Sequence, residues 1–310
     1  MLHEPLIIRG HEQPNSWLLT DLVTPLLGGR DTNGKFTVLL DRVPPGTGTP
    51  PHVHAHDDEG FFILDGEVTF LRGDELIVAR SGDFVWAPHG IVHCFKCTSD
   101  TPATMLLMVT PSSFHDFVGA LGKPAHDAAV PPAIAESDIA ELMRIAPQFG
   151  ITMLLAHPMP TTPPVAIADK RSLWVMGEHV TTLATAAQTG GQFTVADIVT
   201  APAGGPPPHA HTREDELFYV IDGRHEVLLG ERIDIAGPGD LVCVPRGTRH
   251  RYTNTGDTAG RLLSVHTPGG FEAFFDEVGV DAATHVTAPQ LPPPPAEALH
   301  ALLNRHGMTA

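Results

Sequence analysis

The sequence predicts an all-β protein with peripheral helices, built as two tandem β-sandwich or barrel domains. Three observations carry this: a long internal repeat, short apolar segments punctuated by Gly and Pro, and an Asp-Gly pair set between apolar runs in each half. Shifting His52, His54, Glu59, Gly66, Pro88, Gly90 and His93 by 157 positions lands on His209, His211, Glu216, Gly223, Pro245, Gly247 and His250. The register extends from Trp17/Trp174 and Phe36/Phe193 to Phe117/Phe274 and Gly150/Gly307. Chance does not hold one offset over that length. The boundaries expected from it are 1–153 and 154–310, with the proline-rich stretch "HPMPTTPP" (157–164) as linker, because clustered prolines lack amide donors and favour extended chain.

Each half then offers the same elements. "FTVLLDRV" and "FTVADIVT" are strands, as are the runs flanking Asp65-Gly66 and Asp222-Gly223, which carry a hairpin signal. "SGDFVWAP" and "PGDLVCVP" add a turn and a strand, and "TMLLMVTP" and "RLLSVHTP" add another. Two helices close each half: 114–121 and 138–146 in the first, 271–278 and 296–303 in the second. An Asp138/Glu141 capping pattern opens one of them, and Pro292–Pro295 precede another.

Composition excludes several classes of partner. A net charge of −17 disfavours nucleic acid and anionic membrane surfaces, which call for basic patches, and no apolar run is as long as a membrane span. Cys94, Cys97 and Cys243 are too few for a disulfide scaffold, and the opening residues lack the basic and apolar regions of a signal peptide. A cytoplasmic protein is expected, with sheet edges and late helices that leave room for a homo-oligomer.

The chemistry concentrates in "PPHVHAHDDEGFFILDG". Residues i and i+2 of a strand share a face, so His52 and His54 can project together, and so can His209 and His211. Glu59 and Glu216 have the wrong parity for one unbroken strand, and a bend through "AHDD" or "TRED" is needed to return them inward. His93 and His250 come from a separate strand after "PHG" and "PRG". Three imidazoles and a carboxylate suit Fe(II), Mn(II), Ni(II), Co(II), Cu(II) or Zn(II). His56, Asp57 and Asp58 are expected to be solvated loop residues, and the Cys94/Cys97 pair, absent from the repeat, incidental.

These residues match a two-part family pattern, G-x5-HxH-x4-E-x6-G followed by G-x5-PxG-x2-H-x3-N. The first half has "GTGTPPHVHAHDDEGFFILDG" and "GDFVWAPHGIVHCFKC", and the second "AGGPPPHAHTREDELFYVIDG" and "GDLVCVPRGTRHRYTN". Ala203 replaces the leading Gly, and Cys97 the final Asn. The chain thereby resembles the cupin superfamily, in its bicupin, quercetin 2,3-dioxygenase (quercetinase)-like form. The resemblance implies two jelly-roll barrels, each holding a divalent transition metal, and a dioxygenase that takes O2 as co-substrate and inserts it into an enol- or phenol-bearing small molecule, flavonol-like or otherwise aromatic. Glu59 and Glu216 would serve as both ligand and catalytic base. Phe61, Ile63, Phe84, Trp86 and Phe95 are candidates to line the substrate pocket. Trp86 maps to Cys243 and Phe84 to Leu241, so the N-terminal site is expected to take the larger aromatic substrate. An O2-independent lyase, isomerase or cyclase using the metal as Lewis acid, and a non-catalytic metal-dependent binder, are the alternatives.

Overall fold

The computed structural model describes residues 2–125, 130–168, 170–284, 288 and 296–309. Its contacts divide the chain into two units, one of Glu12–Ala168 and one combining Met1–His11 with Asp169–Ala310. The division therefore differs from 153/154 at both ends. Ile151–Met153 pairs antiparallel with His52–His54, and Val165–Ala166 lies parallel to Ile77–Val78, which keeps the segment up to Ala168 with the first unit. At the other end, Leu6–Ile8 pairs with Leu241–Cys243 and completes an edge of the second unit's main sheet. An unpaired edge would leave a row of backbone donors and acceptors unsatisfied. Arg9 fastens the strand by donating to Asp240 at 2.6 Å, Asp234 at 3.1 Å and the Ile235 carbonyl at 2.7 Å.

In the first unit, a seven-stranded and a six-stranded antiparallel-rich sheet enclose one core. Val23, Leu39, Phe61, Ile63 and Met105 reach it from the larger sheet, and Val68, Phe70, Ile77 and Phe95 from the smaller. Phe61, Phe70 and Phe95 pack with centroids 5.1–6.0 Å apart in tilted or edge-on pairs, the arrangement aromatic quadrupoles favour. The second unit repeats the plan with an eight-stranded main sheet and a three-stranded sheet of His225–Leu229, Arg232–Ala236 and His250–Asn254. Both are jelly rolls of two facing sheets whose hydrogen bonding does not close into a continuous barrel.

The Asp-Gly pairs are not hairpins. Asp58–Asp65 pairs with Ala103–Thr110 and Phe84–Ala87, whereas Glu67–Arg72 belongs to the other sheet. Gly66 (φ +84°) and Gly223 (φ +88°) turn corners between sheets, and a side chain on Gly66 would meet Ala103. The two-residue hairpins lie one strand later, at Gly73-Asp74 and Gly230-Glu231.

The first-unit helices are Ser113–Leu121 and Glu136–Ile145, and those of the second are Glu272–Val278 and Ala296–Arg305. Asp138 sits in the first turn of its helix and accepts from the Ala135 amide at 2.8 Å, so the helix starts two residues before the expected place. Pro292–Pro295 lie outside the described residues. Among the described residues, no helix is long and apolar enough to cross a membrane.

Candidate metal centres

Strand pairing assembles each ligand set. His93 stands directly opposite His52 in the antiparallel register, and His209 and His250 exchange both backbone hydrogen bonds, at 2.9 and 2.7 Å. The tight turns before His93 and His250 place Gly90 (φ +76°) and Gly247 (φ +81°), whose amides donate to the His54 and His211 carbonyls. Each turn therefore binds the last HxH histidine to the distant one. The parity problem of Glu59 is solved by a change of sheet: His52–His54 belongs to the smaller sheet, Asp58–Asp65 to the larger, and the chain bends between them. The result is two clusters, His52/His54/Glu59/His93 and His209/His211/Glu216/His250, with ligand atoms in each within 4.8 Å of one another.

The hydrogen bonds set the tautomers. Nδ1 of His52 donates to the Pro50 carbonyl at 2.9 Å and that of His93 to Ile91 at 3.0 Å. His209 and His250 donate likewise to Pro207 and Thr248, both at 2.9 Å. A carbonyl only accepts, so Nδ1 carries the hydrogen and a neutral ring presents a bare Nε2 lone pair. His93 Nε2 faces Glu59 Oε2 at 2.9 Å, and His250 Nε2 faces Glu216 Oε2 at the same distance. Lone pairs that converge in a buried site repel unless a cation sits among them. Nε2 of His54, buried and aimed at the same point, has no hydrogen-bond partner among the described residues. The donor set fits a divalent transition metal.

In the metal-free chain, burial and then the neighbouring imidazoles push His52 and His209 down to about 3. Burial would raise Glu59 and Glu216, but the surrounding histidines outweigh it: Glu59 falls to about 2 and Glu216 lies well below the usual range. Both carboxylates are thus ionised and both HxH-leading imidazoles neutral, the forms a metal requires.

The loop acids depart from expectation. His56 is exposed as expected, but Asp57 is buried, accepts from the Ser113 hydroxyl at 2.5 Å and stands 3.6 Å from His54 Nδ1. Glu214 holds the same relation to His211 at 3.7 Å. Asp58 accepts from the amide and ring of His89, both at 2.7 Å, while Asp215 accepts from the amide and side chain of Arg246 at 3.0 and 2.9 Å. The repeat did carry this signal, since an acid occupies 57/214 and 58/215 in both halves. An acid behind a ligating imidazole orients the ring and raises its basicity. Asp57→Ala is expected to weaken metal binding at the first site by roughly ten- to hundredfold, measured by competition with a chromophoric chelator. Unchanged affinity would remove Asp57 from the site.

Each cluster opens onto a cavity. The first encloses about 710 Å³ including its mouth, the second about 910 Å³. Of the proposed lining residues, Phe61 and Phe95 reach the first cavity, and Ile63 lies in the core beyond it. Phe84 and Trp86 do not. They register with Phe62 and Gly60, one step out of phase with Glu59 and Phe61, and pack over Gly60 on the sheet's other face. The expectation that the N-terminal site takes the larger aromatic substrate therefore loses Phe84 and Trp86 as its support. Cys94 and Cys97 point to opposite faces of their strand, and all three cysteine side chains are buried.

Several cavity residues had no counterpart in the expectations. Asp21 and Asp41 line the first cavity, Glu178 and Tyr252 the second. In the second site Glu216 Oε1 also accepts from Ser264 at 3.2 Å and lies 3.0 Å from His266 Nε2 without hydrogen-bond alignment. His266 stacks on Phe271 at 4.1 Å. Leu107 and Val109 occupy these places in the first half, so comparing the halves for identity could not have found them.

A cupin domain is matched at residues 39–109 and again at 197–266. The chain is 25% identical to quercetin 2,3-dioxygenase of Bacillus subtilis over 299 residues, covering 91% of this chain and 88% of that protein. Among solved structures, the formate complex of Lactobacillus farciminis oxalate decarboxylase superposes with a TM-score of 0.61 at 15% identity, covering 92% of this chain and 96% of the other. The structure of Bacillus subtilis oxalate decarboxylase at pH 4.6 gives 0.61 at 14% identity, covering 100% and 88%. The chain thus carries a cupin domain match in each half, on a two-domain fold shared with these structures.

Proposed function

We propose that the chain is a metal-dependent dioxygenase of the quercetinase-like type, acting on an enol- or phenol-bearing aromatic small molecule. One observation carries the reading: in both units a His3-Glu cluster opens onto a largely apolar cavity. The similarity to quercetin 2,3-dioxygenase along most of the chain supports it. The eight cluster residues would hold two divalent metals, and a metal bound there supplies Lewis-acid and redox chemistry at coordination positions left open by four protein ligands.

The chain's own residues do the rest. Glu59 and Glu216, held ionised, are placed to accept the hydroxyl proton of a chelating substrate. Ser264 donates to Glu216 and fixes its orientation. Phe114, Phe117 and Leu142 line the first cavity, as Phe271, Phe274 and Leu303 line the second, and these apolar walls exclude water. Oxalate suits neither cavity: among the described lining residues there is no Lys or Arg, and a small dianion would meet Asp21 and Asp41 or Glu178. The buried thiols of Cys94 and Cys97, which form no disulfide, suit a reducing compartment such as the cytoplasm.

Oxygen uptake tests the reading. Chain loaded in turn with Fe(II), Mn(II), Ni(II), Co(II) or Cu(II) and mixed with quercetin is expected to consume one O2 per flavonol lost, with none lost under nitrogen. Product formed without oxygen would instead establish the Lewis-acid alternative. Binding without turnover under air would make the protein a binder.

A further inference from the structure

The two cavities share a plan, but the walls beside their clusters differ in chemistry. In the second unit Glu178 is buried, and its Oε1 accepts from the Tyr252 hydroxyl and the Thr200 hydroxyl, both at 2.7 Å. The protein itself supplies the donors that this acid needs. The 157-residue shift places Asp21 at the position of Glu178, Phe95 at that of Tyr252 and Val43 at that of Thr200. Neither the Phe95 nor the Val43 side chain has a hydrogen to donate.

Among the described residues, the Asp21 carboxylate retains one hydrogen bond, from the Thr20 hydroxyl at 3.1 Å. Asp41, where the second unit has Ile198, adds another carboxyl to the same wall. The register sets Val23 opposite Asp41, so Asp21 lies two residues along the neighbouring strand and on the same face. Asp41 is only 4% exposed, and its Oδ1 has no hydrogen-bond partner among the described residues. Both acids line the cavity that holds His52, His54 and Glu59. A buried acceptor with no donor is costly, and the repeat shows a fold that can provide one and here does not.

We propose that Asp21 and Asp41 are specificity-determining residues of the N-terminal cavity, and that they select a ring-sized ligand carrying hydroxyl donors besides its metal-chelating oxygen. The proposal rests on reading that cavity as a substrate site. A neutral hydroxyl suits the pair better than an ammonium group. A divalent ion held by three neutral imidazoles and one carboxylate leaves a net positive charge nearby, which disfavours a second cation. Burial, and for Asp41 the neighbouring Asp21 and Glu59, raises both carboxyls, Asp21 to about 7, so the pair also keeps a proton of its own near neutrality.

Ligand-observed NMR on the zinc-loaded full chain tests this with resorcinol against 1,3-dimethoxybenzene, which has the same ring without the donors. Wild type is expected to favour resorcinol at least tenfold. The ratio should fall to within twofold in Asp21→Leu/Asp41→Leu, which removes the acceptors. It should also fall in Val43→Thr/Phe95→Tyr, which keeps the acids and supplies internal donors as the second unit does. The C-terminal cavity is unchanged in every variant, so the change in ratio reports the N-terminal one. A wild-type ratio below twofold, a ratio undiminished in either folded variant, or stronger competition by benzylamine than by resorcinol would each overturn the proposal. Anaerobic titration with 3-hydroxyflavone separates the two claims: if it does not bind, the flavonol reading fails, while the resorcinol ratio still decides the role of the two acids.

Discussion

Elemental analysis is expected to find two transition-metal ions per wild-type chain, one in His52→Ala, one in His209→Ala, and none in the double variant. Each cluster is complete within its own unit and neither borrows a ligand from the other. Among the described residues, no Lys or Arg stands in either cavity wall to meet the converging carboxylate and imidazoles. The effect on stability should be as large as that on stoichiometry. A ligand that binds only the folded state stabilises it by about 4 kcal/mol when its free concentration is a thousandfold above Kd. Chelation should therefore lower the melting temperature of wild type markedly, lower that of each single variant less, and leave the double variant unmoved. One ion per wild-type chain would refute the two-site description.

The second large effect concerns pH. Asp21 has a folded value of about 7 against 3.8 in the unfolded chain, chiefly because burial penalises its charged form. A raised folded value means that the native state holds the proton more tightly. Its contribution to stability is complete below about pH 4 and is lost as the pH rises through 7. Asp41, whose carboxyl is raised first by burial and then by Asp21, titrates together with it, so the effect belongs to the pair. Metal-free Asp21→Asn should therefore gain stability over wild type between pH 5 and pH 8, read as a rise in the difference between their urea midpoints. Other groups move the curves as well. His52 and His209, lowered to about 3, make the chain more stable as pH climbs from 3 towards 6.5. Glu178, raised to about 6, acts in the same direction as Asp21. The comparison subtracts these because they are common to both chains. A midpoint difference that stays flat from pH 5 to pH 8 would show that Asp21 ionises freely in its cavity.

Much of the site was legible before any coordinates, because a repeat of one chain against itself separates residues that recur from residues that fill space. His52, His54, Glu59 and His93 recur with one spacing, and spacing is what strand geometry converts into a shared face. The same comparison carried the acids at 57/214, which composition alone assigns to solvent because a polar loop is ordinarily solvated. Burial is a property of the surroundings, and here Ser113, contributed by a helix far along the chain, covers Asp57. Phe84 and Trp86 show the opposite failure. Their chemistry suits a substrate pocket, but the phase of their strand against Asp58–Asp65 sends them to the other face.

The sequence by itself determined the duplication, the β class and the eight residues of the two clusters, since each follows from local periodicity or from residues that must recur together. Only the tertiary structure decided which strands lie side by side: that Leu6–Ile8 completes the second unit, that Asp-Gly turns a corner between sheets, and that Asp21 and Asp41 share a wall with Glu59. The physical reason is common to all three. Alternation along a strand specifies which side chains face the same way, while pairing between distant strands is settled by the burial and hydrogen bonding of the whole sheet.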